Sequence, residues 1–252
     1  MFFLFCFEKT INYSQKFKHT YGIFVHCKRI INCDSIIHKT SYVLNFLKGD
    51  IMKKLNSQKI RALAPENDPL KMGMGWTLDD LSKPQIMVES TFGDSHPGSA
   101  HLDVLVAEVI KGINEAGGKG ARYFTTDICD GISQGHDGIN YSLVHRDMIA
   151  NMIEIHGKSI GFDAGVFVSS CDKSVPACLM GLGRLNMPSI VVTGGVMDAG
   201  PDLLTLEQIG MYSAMYQRGE ISEEQLNFYK HKYSTSSPEL KTVIIPLKKS
   251  LP

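Results

Sequence analysis

No apolar run in the 252-residue chain approaches the roughly 18 to 20 residues that cross a bilayer, so a membrane-spanning helix is not expected. The opening MFFLFCF breaks at Glu8 with no basic residue ahead of it, which is a poor match to a secretory signal. Net charge is also missing: 26 Lys and Arg balance 26 Asp and Glu, and the broad basic field of a nucleic-acid binder is absent. Six cysteines at irregular spacing do not form the framework of a small secreted disulfide protein. A reducing cytoplasm is therefore expected, and a cysteine with a role there is a ligand or a nucleophile. What remains is 43% hydrophobic and 21% charged, against a usual charged share of about 25%. That composition belongs to a folded globular protein of one large domain or two small ones.

Residues 1–51 differ from the rest. They hold ten of the Phe and Tyr residues, no proline and an excess of Lys and Arg over acids, and no helical or strand period is sustained. Met52 then opens MKKLNSQKIRALAPEN, which has the character of an ordinary cytosolic N-terminus. The first 51 residues read as a translated upstream extension; a targeting arm is the alternative, and the scattered charges support it poorly. Three regions result: the extension 1–51, an α/β region 52–232, and a tail 233–252 with no period, consistent with a frameshift. Neither end is expected to pack against the middle.

From residue 84 short apolar runs alternate with helical periods. PQIMVEST, ARYFTTDI, AGVFVSS and PSIVVTGG read as strands. Between the first two, Ser99 is a candidate N-cap for a helix carrying Leu102, Leu105, Val106, Val109, Ile110 and Ile113, stopped by Gly117 and Gly118. A second helix is expected from about Ser142 to His156, with Leu143, Met148, Met152 and Ile153 as its apolar stripe. Pro176 suits the first turn of a third, ending near Asn186. Thr205 with Gln208 and Ser222 with Gln225 have the spacing of capping boxes. The expected fold is an α/β three-layer sandwich with a mostly parallel sheet, functional loops collecting at the carboxyl ends of its strands.

Asp130-Gly131 and Cys171-Asp172-Lys173 both follow expected strands and can open onto one sheet edge. Carboxylates suit Mg²⁺ and a thiolate suits iron, so neighbouring Cys171 and Asp172 can serve two different centres. The plainer reading makes Cys171 a buried strand-end residue, Asp172 an N-cap and Lys173 a solvated charge. DGISQGHDG lets backbone N–H groups approach an anionic substrate, although such loops are also simple turns. A nucleotide P-loop spacing is absent. Cys129 and Cys178 read as core cysteines; His96, His101 and His136 lie near the active edge with surface or substrate-facing roles, without zinc-site spacing.

TDICDGISQGHDGINYSLVHRDMIANMIE and SSCDKSVPACLMGLGRLNMPSIVVTGG resemble the dihydroxy-acid dehydratase and phosphogluconate dehydratase family, with the dihydroxy-acid branch closer. The likeness covers about residues 65–231. It implies that Asp130 and Asp172 bind Mg²⁺, that Lys173 is carbamylated and joins them, and that Cys171 ligates an iron–sulfur cluster, 4Fe-4S or 2Fe-2S. It implies dehydration of a small 2,3-dihydroxy acid to a 2-oxo acid in branched-chain amino-acid biosynthesis, with the full-length form a homodimer. Mg²⁺ would hold the carboxylate and 2-hydroxyl while cluster iron drew off the 3-hydroxyl. The first loop reads HPGSAHLD where many members have a cysteine, which leaves cluster type open. The family's Pro-x-Cys-Gly segment after Lys232, its later acidic ligand and its serine base do not appear, so an incomplete and inactive site is expected. A 6-phosphogluconate or other sugar-acid dehydratase, or a non-catalytic fragment, are the alternatives.

Overall fold

The computed structural model describes residues 55–195 and 200–234, and the backbone of 243–247. The extension 1–51 and most of the tail, 235–242 and 248–252, lie outside the described residues. Three short helices come first: α1 (Asn56–Leu63), α2 (Asn67–Gly73) and α3 (Leu78–Ser82), the last closed by a capping box between Thr77 and Asp80. The alternating region follows as β1 (Gln85–Ser90), α4 (Leu102–Glu115), β2 (Lys119–Phe124), the single turn α5 (Asp130–Ser133), a 3-10 turn (Asp137–Tyr141), α6 (Ser142–Ile160), β3 (Ala164–Ser169), α7 (Ser174–Leu185) and β4 (Ser189–Thr193). After another 3-10 turn come α8 (Leu206–Gln217), α9 (Glu223–Ser234) and β5 (Val243–Leu247).

The sheet order is β2-β1-β3-β4-β5, with the first four strands parallel and β5 antiparallel to β4. Alternation along β1 divides its side chains. Ile86 and Val88 join Val166, Val168, Ile190 and Val192 beneath Leu102, Leu105, Val106, Val109 and Ile113 of α4. Met87 joins Phe167 and Val191 on the opposite face, under Ile149 and Ile153 of α6 and Ala177 and Cys178 of α7. Both faces are covered, giving the expected three layers around inner strands β1, β3 and β4 too apolar to tolerate solvent on either side.

Several local expectations are corrected. The tail is not wholly separate: VIIPL pairs with β4, and its proline is tolerable because the strand lies at the sheet edge. Helix α4 starts after His101, not Ser99, because the chain first turns on itself, with the N–H groups of Ser99 and Ala100 both donating to the His96 carbonyl. On α6, Leu143, Met148 and Met152 are 64%, 52% and 42% exposed, and only Ile153 of the expected stripe is buried. The buried side consists of Ile149, Ala150, Ile153 and Gly157, because α7 approaches closely: a Cβ on Gly157 would meet Leu185 at 2.6 Å. Both distal capping boxes form, through Thr205 with Gln208 and Ser222 with Gln225.

Asp163, just ahead of β3, ties α1 to the sheet. It accepts from the Ser57 N–H at 2.9 Å, the Ser57 hydroxyl at 2.6 Å and the Gln85 N–H at 2.8 Å. Hydrogen bonds to a charged acceptor contribute about 1.5 to 3 kcal/mol, so Ser57→Ala is expected to lower stability by about 2 kcal/mol in urea titrations. An unchanged midpoint would show that this hydroxyl adds nothing to the tie.

Candidate active site

Because the chain passes from β1 out to β2 and then returns to the other side of β1 for β3, the direction of winding reverses between β1 and β3. Open parallel sheets bind ligands at such a reversal, outside the carboxyl ends of the strands. The loops after β1, β2 and β3 meet there.

Lys173 is central to the meeting. Its side chain is only 2% exposed, which overturns the solvated alternative. Nζ donates to the Ile128 carbonyl at 2.7 Å and to Asp130 Oδ1 at 2.9 Å, and stands 3.5 Å from Asp127 Oδ1. Burial alone would lower the lysine's pKa, but the bond to Asp130 and the charges of Asp127 and Asp130 outweigh it and raise it. Burial likewise acts to raise the Asp130 pKa, and Lys173 more than offsets that, holding the carboxyl below its ordinary value.

Asp172 is exposed and accepts from the Cys171 thiol at 3.2 Å. Among the described residues no hydrogen bond or ion pair joins it to Asp130 or Lys173, and the N-cap of α7 is Lys173 rather than Asp172. Burial first, then the Asp172 carboxylate, push the Cys171 thiol up to about 11. Cys171 adopts φ 76°, left-handed for a residue with a Cβ; Thr126 in the neighbouring loop has φ 52°. Non-glycine residues in this region carry roughly 1 to 3 kcal/mol of strain and concentrate at functional sites.

Two carboxylates were not singled out by sequence reasoning. Asp127 was assigned to strand ARYFTTDI, but β2 stops at Phe124, and the left-handed turn at Thr126 brings Asp127 into the interior. A charged residue within an otherwise strand-like run was the available signal. Glu89 interrupts the apolar run of β1 in the same way; it accepts from Thr125 Oγ1 at 2.6 Å and Cys178 Sγ at 3.3 Å. Full burial pushes its carboxyl up to about 7.

The histidines separate. His96 is buried, accepting from the Gly98 N–H at Nδ1 and directing Nε2 towards Asp127. His101 reaches the Gly194 carbonyl, while exposed His136 caps the 3-10 turn by accepting from the Gly138 N–H. Cys178 is a core residue as expected; Cys129 is only partly buried, since it stands outside the sheet at the start of α5. Gly98 is built into close quarters, where a Cβ would lie 3.0 Å from His96 Cε1 and 3.2 Å from Ser170 Oγ.

Among the described residues no group of three or more His, Cys, Asp or Glu side chains is arranged to hold a metal ion. Asp130 and Lys173 would form a paired oxygen-donor position if the amine carried a carbamate, and Asp172 follows Cys171 on the adjoining loop. This chemistry fits a hard divalent cation. The described thiols fit an iron–sulfur cluster less completely: Cys171 stands at the loop, Cys129 on the neighbouring one, and Cys178 is buried against Glu89.

The parallel sheet, wrapped by helices, thus gathers acidic groups and a lysine at its winding reversal. Residues 83–238, more than half the chain, match the N-terminal model of the dihydroxy-acid/6-phosphogluconate dehydratases, and the chain belongs to that family. It is 41% identical over 153 residues to the dihydroxy-acid dehydratase of Vesicomyosocius okutanii, covering 61% of this chain and 28% of that protein. The enzymes of Methanococcus vannielii and Methanobrevibacter smithii are each 42% identical, over 167 and 182 residues, with 64% and 69% of this chain and 30% and 32% of theirs covered. The chain thus spans about a third of the length of the curated relatives it matches.

Proposed function

We propose that this chain is the amino-terminal part of a hydro-lyase that dehydrates 2,3-dihydroxy carboxylic acids to 2-oxo acids, acting in the cytoplasm in branched-chain amino-acid biosynthesis. Its full-length form is a homodimer in this reading. The supporting observation is the buried Lys173 amine pinned against Asp130 at the strand ends. Asp130, Asp172 and Lys173 as a carbamate would hold Mg²⁺, and Cys171 would contribute one thiolate to an iron–sulfur cluster. Bound there, Mg²⁺ supplies a positive charge for a substrate carboxylate and hydroxyl, and cluster iron supplies a Lewis acid for the departing hydroxyl.

The residues themselves do the preparatory work. On taking up CO₂ the Lys173 ammonium would release two protons to solvent and become an anionic carbamate, so Asp130 would lose its counter-charge and the pair would suit a divalent cation. The apolar walls of β1 and β3 beneath the site keep water from the sheet interior.

Binding of Mn²⁺, used as a probe for Mg²⁺, tests the reading by calorimetry in bicarbonate-containing and CO₂-depleted buffers. The chain is expected to bind more tightly with bicarbonate, and Asp130→Asn to weaken binding at least tenfold. Binding that ignores both bicarbonate and Asp130, or no binding, would overturn the metal assignment.

A further inference from the structure

Asp127 is as deeply placed as any charged group in the described residues: its side chain has 0% exposure. Four elements converge on it. The Ile128 N–H donates to Oδ1 at 2.7 Å, and the Ser174 hydroxyl, at the start of α7, donates to Oδ2. His96 Nε2, from the loop after β1, stands 3.6 Å from Oδ2, and His145 Nε2, from α6, 3.9 Å from Oδ1. Lys173 Nζ stands 3.5 Å from Oδ1.

The tautomer of His96 follows from its other nitrogen. Because Nδ1 accepts from the Gly98 N–H at 2.9 Å, the ring proton is on Nε2, the atom directed at Asp127. His145 spends its Nε2–H on the Thr126 carbonyl at 3.3 Å and so does not capture the carboxylate. Asp127 is therefore fixed by a backbone amide and a hydroxyl, with the His96 imidazole standing beside it, before Lys173 is considered. Lys173 in turn is met on one side by Asp130, which is 33% exposed, and on the other by this fully buried carboxylate.

We propose that Asp127 is a positioning residue of the site: held by Ser174 and by the N–H of its own loop, it fixes where the Lys173 amine stands relative to Asp130. The inference rests on the reading of Lys173 as the site's metal-anchoring residue. A purely architectural Asp127 would hold its loop to α7 through Ser174, and an asparagine would do the same, since its amide oxygen can still accept. A positioning Asp127 acts through charge on Lys173, and an amide removes that charge.

The test reads Lys173 directly. Chain carrying ¹⁵N-lysine, in CO₂-depleted buffer, is examined for the Lys173 ammonium resonance, assigned by its loss in Lys173→Gln. Wild type is expected to show a slowly exchanging ammonium. Asp127→Asn should accelerate its hydrogen exchange at least tenfold, and Ser174→Ala, which loosens the carboxylate without removing it, about threefold. Asp68→Asn, which breaks the distant Arg61 ion pair, should leave it unchanged. If Asp127→Asn does not fold, Ser174→Ala carries the decision. Lys173 exchange unaltered in the folded variants would overturn the proposal. Mn²⁺ affinity in bicarbonate separates it from the reading on which it rests: an at least tenfold loss in Asp127→Asn supports both. No binding by wild type refutes the metal site, while the ammonium signal still judges Asp127.

Discussion

Lys173→Met is expected to lower the unfolding free energy by about 3 to 5 kcal/mol, the range for removing one partner of a buried ion pair. Methionine keeps most of the stem's volume, so the loss comes from electrostatics rather than from a cavity. Three oxygens lose their donor or counter-charge together: those of Ile128, Asp130 and Asp127. Asp130 is partly exposed and recovers solvation, whereas Asp127 has no exposed side-chain surface and recovers none. Combining Lys173→Met with Asp127→Asn should therefore restore part of the loss, a non-additivity that neighbouring charges sharing one interaction produce. Guanidinium unfolding of the single and double variants measures it. A single-variant loss below about 1 kcal/mol would mean that water reaches Asp127.

Glu89 should give the chain an unusual dependence on pH. Full burial raises its carboxyl from 4.5 to about 7, and the hydrogen bonds from Thr125 and Cys178 only partly oppose that. Over that interval the unfolded chain releases the proton while the folded chain retains it. Stability from this residue is fully present below pH 4.5, falls as pH rises, and levels off above about 7, a change of about 3 kcal/mol at 1.36 kcal/mol per pH unit. Glu89→Gln removes the ionisation and is expected to stabilise the chain by about 2 to 3 kcal/mol at pH 8 while matching wild type at pH 4. Comparing variant with wild type at each pH cancels the opposite contribution of carboxyls such as Asp80, whose pKa is lowered to about 2. Equal stability of the two proteins at pH 8 would show that the Glu89 charge is solvated in the folded state.

The alternation of strands and helices was legible because the inner parallel strands are buried on both faces and so present unbroken apolar runs, as in IMV of β1 and GVFV of β3. Lys173 was found because it closely trails the apolar run of β3, and Asp130 because it follows ARYFTTDI, whose residue types suit a strand. What was not legible depended on contacts between distant segments. The buried side of α6 is chosen by the small residues that let α7 approach, so its methionines, apolar enough to suggest a core, face outwards. Asp127 was hidden by a single left-handed residue, Thr126, which ends a strand that the residue types alone would extend. The pairing of residues 243–247 with β4 joins segments some fifty positions apart, and a five-residue run containing proline gives little sign of it.

At position 171 the backbone shape and the side chain pull in opposite directions. Glycine would occupy φ 76° without steric conflict, so ordinary mutational drift, acting on fold stability alone, favours loss of the side chain there. Cys171→Gly would relax the backbone while removing the thiol, so in the proposed reading the sulfur stands at this loop at a cost to local backbone comfort.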